Sequence, residues 1–269
     1  MEGKTLSADA ALWTGIHPSA LIHEGAELGA DVTVGPWTII GPGVVVGAGT
    51  TVGSNVLIER DTVIGRDCRI SHGAVLGTDP QDLKFGGEKT ELVVGDRTVI
   101  REYATLNRGT HASGRTVVGS DCMLMAYVHI AHDCRIGDHV ILSNAVNMAG
   151  HVTIGDWAIV GGLTAIHQFV RIGAHAFVGG ASRVAKDVPP YVRAAGSPLE
   201  LAGLNSVGLR RRGFSEEVRL ELKRAYRLFF ASEFNVSQAL ERARTDLNPS
   251  PELEALITFV EESERGVSL

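Results

Sequence analysis

Every sixth residue from Ile16 to Val184 is aliphatic or Met, and the rule fails only at Asp82, Glu88 and Ala112. A period of six fits neither a helix of 3.6 residues per turn nor the two-residue alternation of a flat strand. It is the period of a parallel β-helix, in which each hexad makes one short strand and one turn. Three hexads close a triangular coil, so one coil takes about eighteen residues, and coils stack as solenoid units do. The aliphatic residue at position one points inward. Position five holds small or β-branched residues that fill the corner, such as Ala20, Ala26, Val32, Thr38, Val44 and Thr50. Glycine often occupies position two, as at Gly29, Gly35, Gly41, Gly47, Gly53 and Gly65. There it is expected to ease a tight turn through its freedom of backbone angle.

The interruptions define the organisation. Residues 77–93 (GTDPQDLKFGGEKTELV) are polar, contain Pro80 and the Gly86-Gly87 pair, and should leave the coil as a loop. Residues 108–116 (RGTHASGRT) look like a second, smaller insertion. Long loops on a rigid scaffold often carry function. Asp187-Val188-Pro189-Pro190 ends the repeat, and 191–203 reads as a linker. From about residue 214 the spacing turns helical: Ser215 is a cap for a helix bearing Val218, Leu222, Ala225 and Phe229. Asn235 with Gln238 and Ser250-Pro251 mark two more helix starts. The chain therefore divides into an N-terminal extension (1–15), a β-helix (16–190), and a linker with a C-terminal α-helical domain (191–269).

Composition narrows the function. The net charge of −6 argues against nucleic acid as a partner. No run of 18 or more apolar residues exists, so no membrane span is expected. The opening MEGKTLSADAALWTG lacks the basic and apolar regions of a signal peptide, which points to the cytoplasm. Cys68, Cys122 and Cys134 all fall at position five and read as small buried fillers.

The candidate chemistry lies in Tyr127-Val128-His129-Ile130-Ala131-His132-Asp133-Cys134. Gly150 follows His132 by eighteen residues, one coil, so the two should share a corner at a backbone separation of ~4.8 Å. His151 follows directly, and His167 lies about one coil further on. Three readings of this cluster stand open. A histidine can take a proton from a hydroxyl nucleophile while the Gly150 N–H stabilises an oxyanion. The same residues can hold zinc. Or they merely decorate turns, which is the reading for the isolated His17, His23, His72, His139 and His175.

The runs MAYVHIAHDC, NAVNMAGHVTIGD, GGLTAIHQFVRIG and AKDVPPYV closely resemble the UDP-N-acetylglucosamine O-acyltransferases of lipid A biosynthesis. PQDLKFGGE in the first loop and GLRRRGFS before the helical region match that family too. The resemblance implies a left-handed coil, a homotrimer, and transfer of a 3-hydroxyacyl group from an acyl carrier protein to the 3-hydroxyl of UDP-N-acetylglucosamine, with no cofactor. It implies His132 as general base, Asp133 as its support, and Gly150 as the oxyanion donor. His129, His151, His167 and Gln168 match residues lining the cleft. Asp82 and Lys84 match loop residues that reach the sugar nucleotide from a neighbouring subunit. Asn205, Arg211 and Arg212 match residues near nucleotide and donor. Gly180 matches a position that limits acyl length, and glycine there leaves room for a chain of hydroxymyristoyl type. An acidic carrier docking on an acidic chain needs a basic patch, which Arg210, Arg211 and Arg212 with Lys223, Arg224 and Arg227 would supply.

Two residues depart from the family pattern: Asn107 stands in LNRGT where histidine is common, and Val207 where an acidic residue is common. They put acceptor recognition in question, because some relatives acylate a 3-amino sugar. A zinc-dependent hydratase on the same fold, a nonenzymatic scaffold, and a sister acyltransferase using another sugar or a coenzyme A donor are the competing expectations.

Overall fold

A computed structural model describes residues 13–268 of the chain; most of the expected N-terminal extension, residues 1–12, lies outside it. Two-residue strands, one per hexad, stack into three faces. A nine-stranded face runs from Leu21–Ile22 to Arg183–Val184, an eight-stranded face from Glu27–Leu28 to Arg171–Ile172, and a ten-stranded face begins at Thr33–Val34. Within each face every neighbour is parallel until the last pair of the ten-stranded face. The hexad aliphatics fill the prism: Ile40, Ile58, Leu76, Ile100, Leu106, Ile130 and Met148 are all buried. Each contributes about 2 kcal/mol of apolar burial. Position five closes the corners. Thr38, for example, donates from Oγ1 to the Gly53 carbonyl at 2.6 Å and accepts from the Val56 N–H at 3.1 Å. Cys68, Cys122 and Cys134 are buried and unbridged there, as fillers should be.

The insertions keep the phase. Val63 pairs with Val93, Val93 with Val117, and Val117 with Arg135, separations of 30, 24 and 18 residues. The extra residues are thus whole hexads, which is required because a frame slip would turn the interior outward. Both loops are shorter than the sequence suggested, since Val75–Thr78, Glu91–Val94 and Arg115–Val118 are strands. Residues 79–90 and 108–114 are what leaves the coil. Both leave at the corner between the nine- and eight-stranded faces, on consecutive coils.

Glycine at position two has a different cause from the one expected. None of Gly29, Gly35, Gly41, Gly47, Gly53 or Gly65 has a positive φ. A Cβ on Gly29 would instead sit 2.6 Å from the Ala48 nitrogen, and one on Gly41 would strike the Glu59 carbonyl. Close approach of the next coil, not backbone freedom, selects glycine there. The left-handed conformation sits at position four, where non-glycine residues adopt it: Asp31, Trp37, Asn55, Asp133, His151, Phe169 and His175 among others. Asp, Asn and His tolerate this region best. Position-four side chains consequently stack along the outside of each corner.

The expected linker over 191–203 is largely sheet. Val192–Ala195 pairs in parallel with Phe177–Val178, and Glu200–Leu204 folds back antiparallel on it. A short helix α1 (Ser206–Arg211), unforeseen in the sequence, follows with Asn205 as its N-cap. Helices α2 (Glu216–Phe230), α3 (Val236–Asp246) and α4 (Pro251–Glu261) start at Ser215, Asn235 and Ser250, as the capping residues indicated. With Leu209 of α1, they bury Leu222, Leu256, Ile257 and Val260 in a second core. The C-terminal segment then returns to the last coil, where Ser263 Oγ donates to Asp187 Oδ2 at 2.8 Å.

Candidate active site

The corner between the nine- and eight-stranded faces carries, from coil to coil, the two loops, then His132-Asp133, then Gly150-His151, then Gln168-Phe169. His132 Nδ1 lies 2.8 Å from Asp133 Oδ2. The carboxylate is fully committed. Oδ1 accepts from the Thr110 N–H at 3.0 Å and from Ser113 Oγ; Oδ2 accepts from Thr110 Oγ1 at 2.7 Å as well as from His132. Burial by itself would raise the Asp133 pKa, but the hydrogen bonds from Ser113, His132 and Thr110 outweigh it and hold the carboxyl down to about 2. An ionised Asp133 keeps the imidazole proton on Nδ1, so Nε2 is the free, basic nitrogen.

Nε2 faces Gly150. A Cβ on that glycine would lie 2.7 Å from His132 Nε2, so only glycine leaves this space open. The next residue fixes the stacking: the His151 N–H donates to the His132 carbonyl at 3.0 Å. Among the described residues the Gly150 N–H donates to no protein group. His151 crosses His132 edge-on at 5.1 Å between centroids and stacks on Phe169 at 4.5 Å. Its burial lowers the His151 pKa, with partial opposition from Asp133. His132, Asp133 and His151 offer three ligand atoms within 4.8 Å of one another, the composition of a metal site. Asp133, however, already accepts from the Thr110 N–H and hydroxyl and from His132, which favours a dyad over a metal ligand.

The remaining expected residues divide among the corners and faces. His129 is on the nine-stranded face, 2.7 Å from Thr105 Oγ1, and burial, followed by the charge of His132, lowers its pKa. His167 and Gln168 lie one coil beyond Gly150, with His167 Nδ1 3.2 Å from the Gln168 carbonyl. Asp82 is near enough to act on the charge of His151, and Lys84 follows it in the same exposed turn. Asn205, Arg211 and Arg212 are elsewhere, at the corner between the eight- and ten-stranded faces. Asn205 Nδ2 donates to the His175 carbonyl at 3.0 Å, and the Arg212 guanidinium lies 5.2 Å over Trp157. Gly180 is at the third corner, where a Cβ would come 3.1 Å from the Gly162 carbonyl.

Known proteins match this arrangement over nearly its whole length. The acyl-[acyl-carrier-protein]--UDP-N-acetylglucosamine O-acyltransferase of Chlorobaculum parvum is 65% identical over 252 residues, 93% of this chain and 96% of its own. The chain belongs to the UDP-N-acetylglucosamine O-acyltransferase family. The family's second-domain model matches residues 187–268, and the bacterial transferase hexapeptide model matches 14–48, 43–78 and 115–150. The enzyme of the same name from Aquifex aeolicus is 59% identical, covering 94% of this chain and 97% of its own. Among solved structures, the UDP-N-acetylglucosamine acyltransferase from Bacteroides fragilis superposes with a TM-score of 0.93 at 42% identity, over 94% of this chain and 99% of that one. The fold of this O-acyltransferase family member is a left-handed parallel β-helix.

Sequence reasoning missed Thr110 and Ser113, which complete the shell of Asp133. The available signal was positional. An inserted hexad one coil before HIAHDC, at the same corner, must lie against it. The expected basic patch is also uneven: Arg210 and Arg211 are exposed, but Arg212 is folded inward and Arg224 is paired with Glu221 at 2.6 Å.

Proposed function

We propose that this chain transfers a 3-hydroxyacyl group from an acyl carrier protein thioester to the 3-hydroxyl of UDP-N-acetylglucosamine, the first step of lipid A biosynthesis. The observation that carries the reading is the hydrogen-bonded Asp133–His132 pair beside the Gly150 backbone one coil away. His132 Nε2 takes the proton of the sugar hydroxyl as its oxygen attacks the thioester carbonyl. The Gly150 N–H stabilises the oxyanion. As the C–S bond breaks, His132 returns the proton to the departing thiolate, so base and carrier are both regenerated. Nothing in this sequence of steps needs a metal or organic cofactor, because the thioester supplies the driving force. A cytoplasmic location goes with that reading.

The same reading assigns His129, His151, His167, Gln168, Asp82 and Lys84 to the cleft and Asn205, Arg211 and Arg212 to the nucleotide and donor. One prism holds these sets on different corners, so a complete cleft forms between copies of a homotrimer. Support for side-by-side association comes from the ten-stranded face, where Val99, Met123, Ile141, Ile159 and Phe177 pair in one unbroken outward apolar ladder. Gly180 leaves the surface above Gly162 bare, which suits a long acyl chain. Purified protein offered carrier thioesters of several lengths, with UDP-N-acetylglucosamine or its 3-amino analogue, tests all of this by product mass. A 3-O-acyl sugar nucleotide is expected. No transfer from any thioester would overturn the reading, and amide formation alone would move the acceptor to the amino sugar.

A further inference from the structure

The root of the first loop contains a buried cation that the transfer reaction does not use. Arg108 is 2% exposed. Its Nε donates to the Gly77 carbonyl at 2.9 Å, its Nη2 pairs with Asp79 Oδ1, and its Nη1 lies 3.4 Å from both the carbonyl and the hydroxyl of Thr90. The Phe85 ring centroid lies 5.8 Å from its Cζ. One guanidinium thus joins the entry to the loop (77 and 79), its middle (85) and its return (90). Asn107 reinforces the entry side, donating from Nδ2 to Thr78 Oγ1 at 2.8 Å and to the Asp79 carbonyl at 3.0 Å. Beyond the clamp the loop is tied to the second insertion, where Glu88 Oε1 accepts from the His111 N–H at 3.1 Å. Its tip is a local turn, in which the Phe85 N–H meets the Asp82 carbonyl at 3.0 Å, and Leu83 at the tip is fully exposed.

We propose that Arg108 is a positioning residue, setting where the loop presents Asp82 and Lys84 to the sugar nucleotide. This rests on the assignment of those two residues to the cleft under the proposed function. A guanidinium is suited to the task because its planar fork can donate to both stems at once while its face meets an aromatic ring. A lysine ammonium keeps the charge but cannot span the two stems.

Arg108→Lys and Asp79→Asn, each in the full chain, test the clamp through amide hydrogen exchange and steady-state kinetics for both substrates. In Arg108→Lys, faster exchange is expected in 79–90 and nowhere else. The KM for UDP-N-acetylglucosamine is expected to rise about ten-fold, with kcat and the KM for the carrier thioester within about two-fold of the parent. Asp79→Asn should move both readouts the same way by less, and it retains the buried arginine. Unchanged exchange in 79–90 with an unchanged KM would overturn the proposal. So would exchange rising throughout the neighbouring coils with kcat falling at constant KM, the pattern of a purely structural residue. Should the parent protein fail to acylate UDP-N-acetylglucosamine at all, the functional reading falls, and the exchange pattern alone decides the clamp.

Discussion

The two corners flanking the eight-stranded face share one backbone and use it differently. Each stacks position-four residues with positive φ, one per coil: Asp133, His151 and Phe169 on one corner, and His139, Trp157, His175 and Tyr191 on the other. The second corner is a continuous aromatic pile, with His139 3.9 Å from Trp157 and His175 5.8 Å from Tyr191 between centroids. Burial there, with the Arg212 charge, presses the His175 pKa down to about 4. His175 Nδ1 is buried and has no hydrogen-bond partner among the described residues. On the first corner the second inserted loop brings Thr110 and Ser113 against an acid, and that acid orients a histidine. The same ladder becomes a packed stack or an oriented Asp–His pair according to whether polar donors are brought to it.

This contrast can be broken from the catalytic side first. His132→Ala removes the proposed base and should cut kcat by about 10³–10⁴-fold with an unchanged melting temperature, measured by product formation alongside thermal unfolding. Near-normal transfer would reduce the first corner to another decorated turn. Next in size is Gly150→Ala. Its Cβ would meet His132 Nε2, so kcat should fall about 10²-fold, the scale of losing an aligned oxyanion donor. A crystal structure of that variant with His132 unmoved would contradict this account. Thr110→Val takes one hydrogen bond from Asp133 and should lower kcat about ten-fold, the equivalent of one charge-assisted bond.

The smallest effect belongs to the aromatic corner and concerns stability. His175 has an ordinary pKa of 6.5 and a folded value of about 4, so on acidification the unfolded chain takes up the proton first. Between those values the unfolded state binds more protons, and folded stability falls as pH falls. His175→Phe removes that proton uptake. The variant should lose less stability than the parent between pH 7 and pH 5 in urea unfolding. An identical loss in both would mean that His175 is not held neutral by its surroundings.

Much of this was legible in the hexads. The inward aliphatics, the position-five cysteines and the pairing of His132 with Gly150 all follow from counting, because an eighteen-residue coil makes sequence distance a spatial ruler. Helix starts were legible at Ser215, Asn235 and Ser250, where capping depends on a few adjacent residues. The strand at 192–195 was not, since it forms by pairing with a coil already in place and carries no hexad of its own. Position-two glycines were misread because their constraint, the neighbouring coil's backbone, is invisible along one stretch of chain. Arg108 sits within a polar loop sequence, and nothing local indicates that its guanidinium is buried between two loop stems.

The sequence by itself determined the solenoid, its frame, and the fact that insertions must come in whole hexads, because each of these depends on a period that any shift would violate. It also brought His132 and the Gly150 backbone to one corner. Tertiary structure alone decided which corner gathered polar donors around an acid. Thr110 and Ser113 reach Asp133 only after the second loop has folded over the edge, and the ionisation of that carboxylate depends on donors remote from it along the chain. A period fixes where backbones stack; the state of a side chain depends on every group that surrounds it.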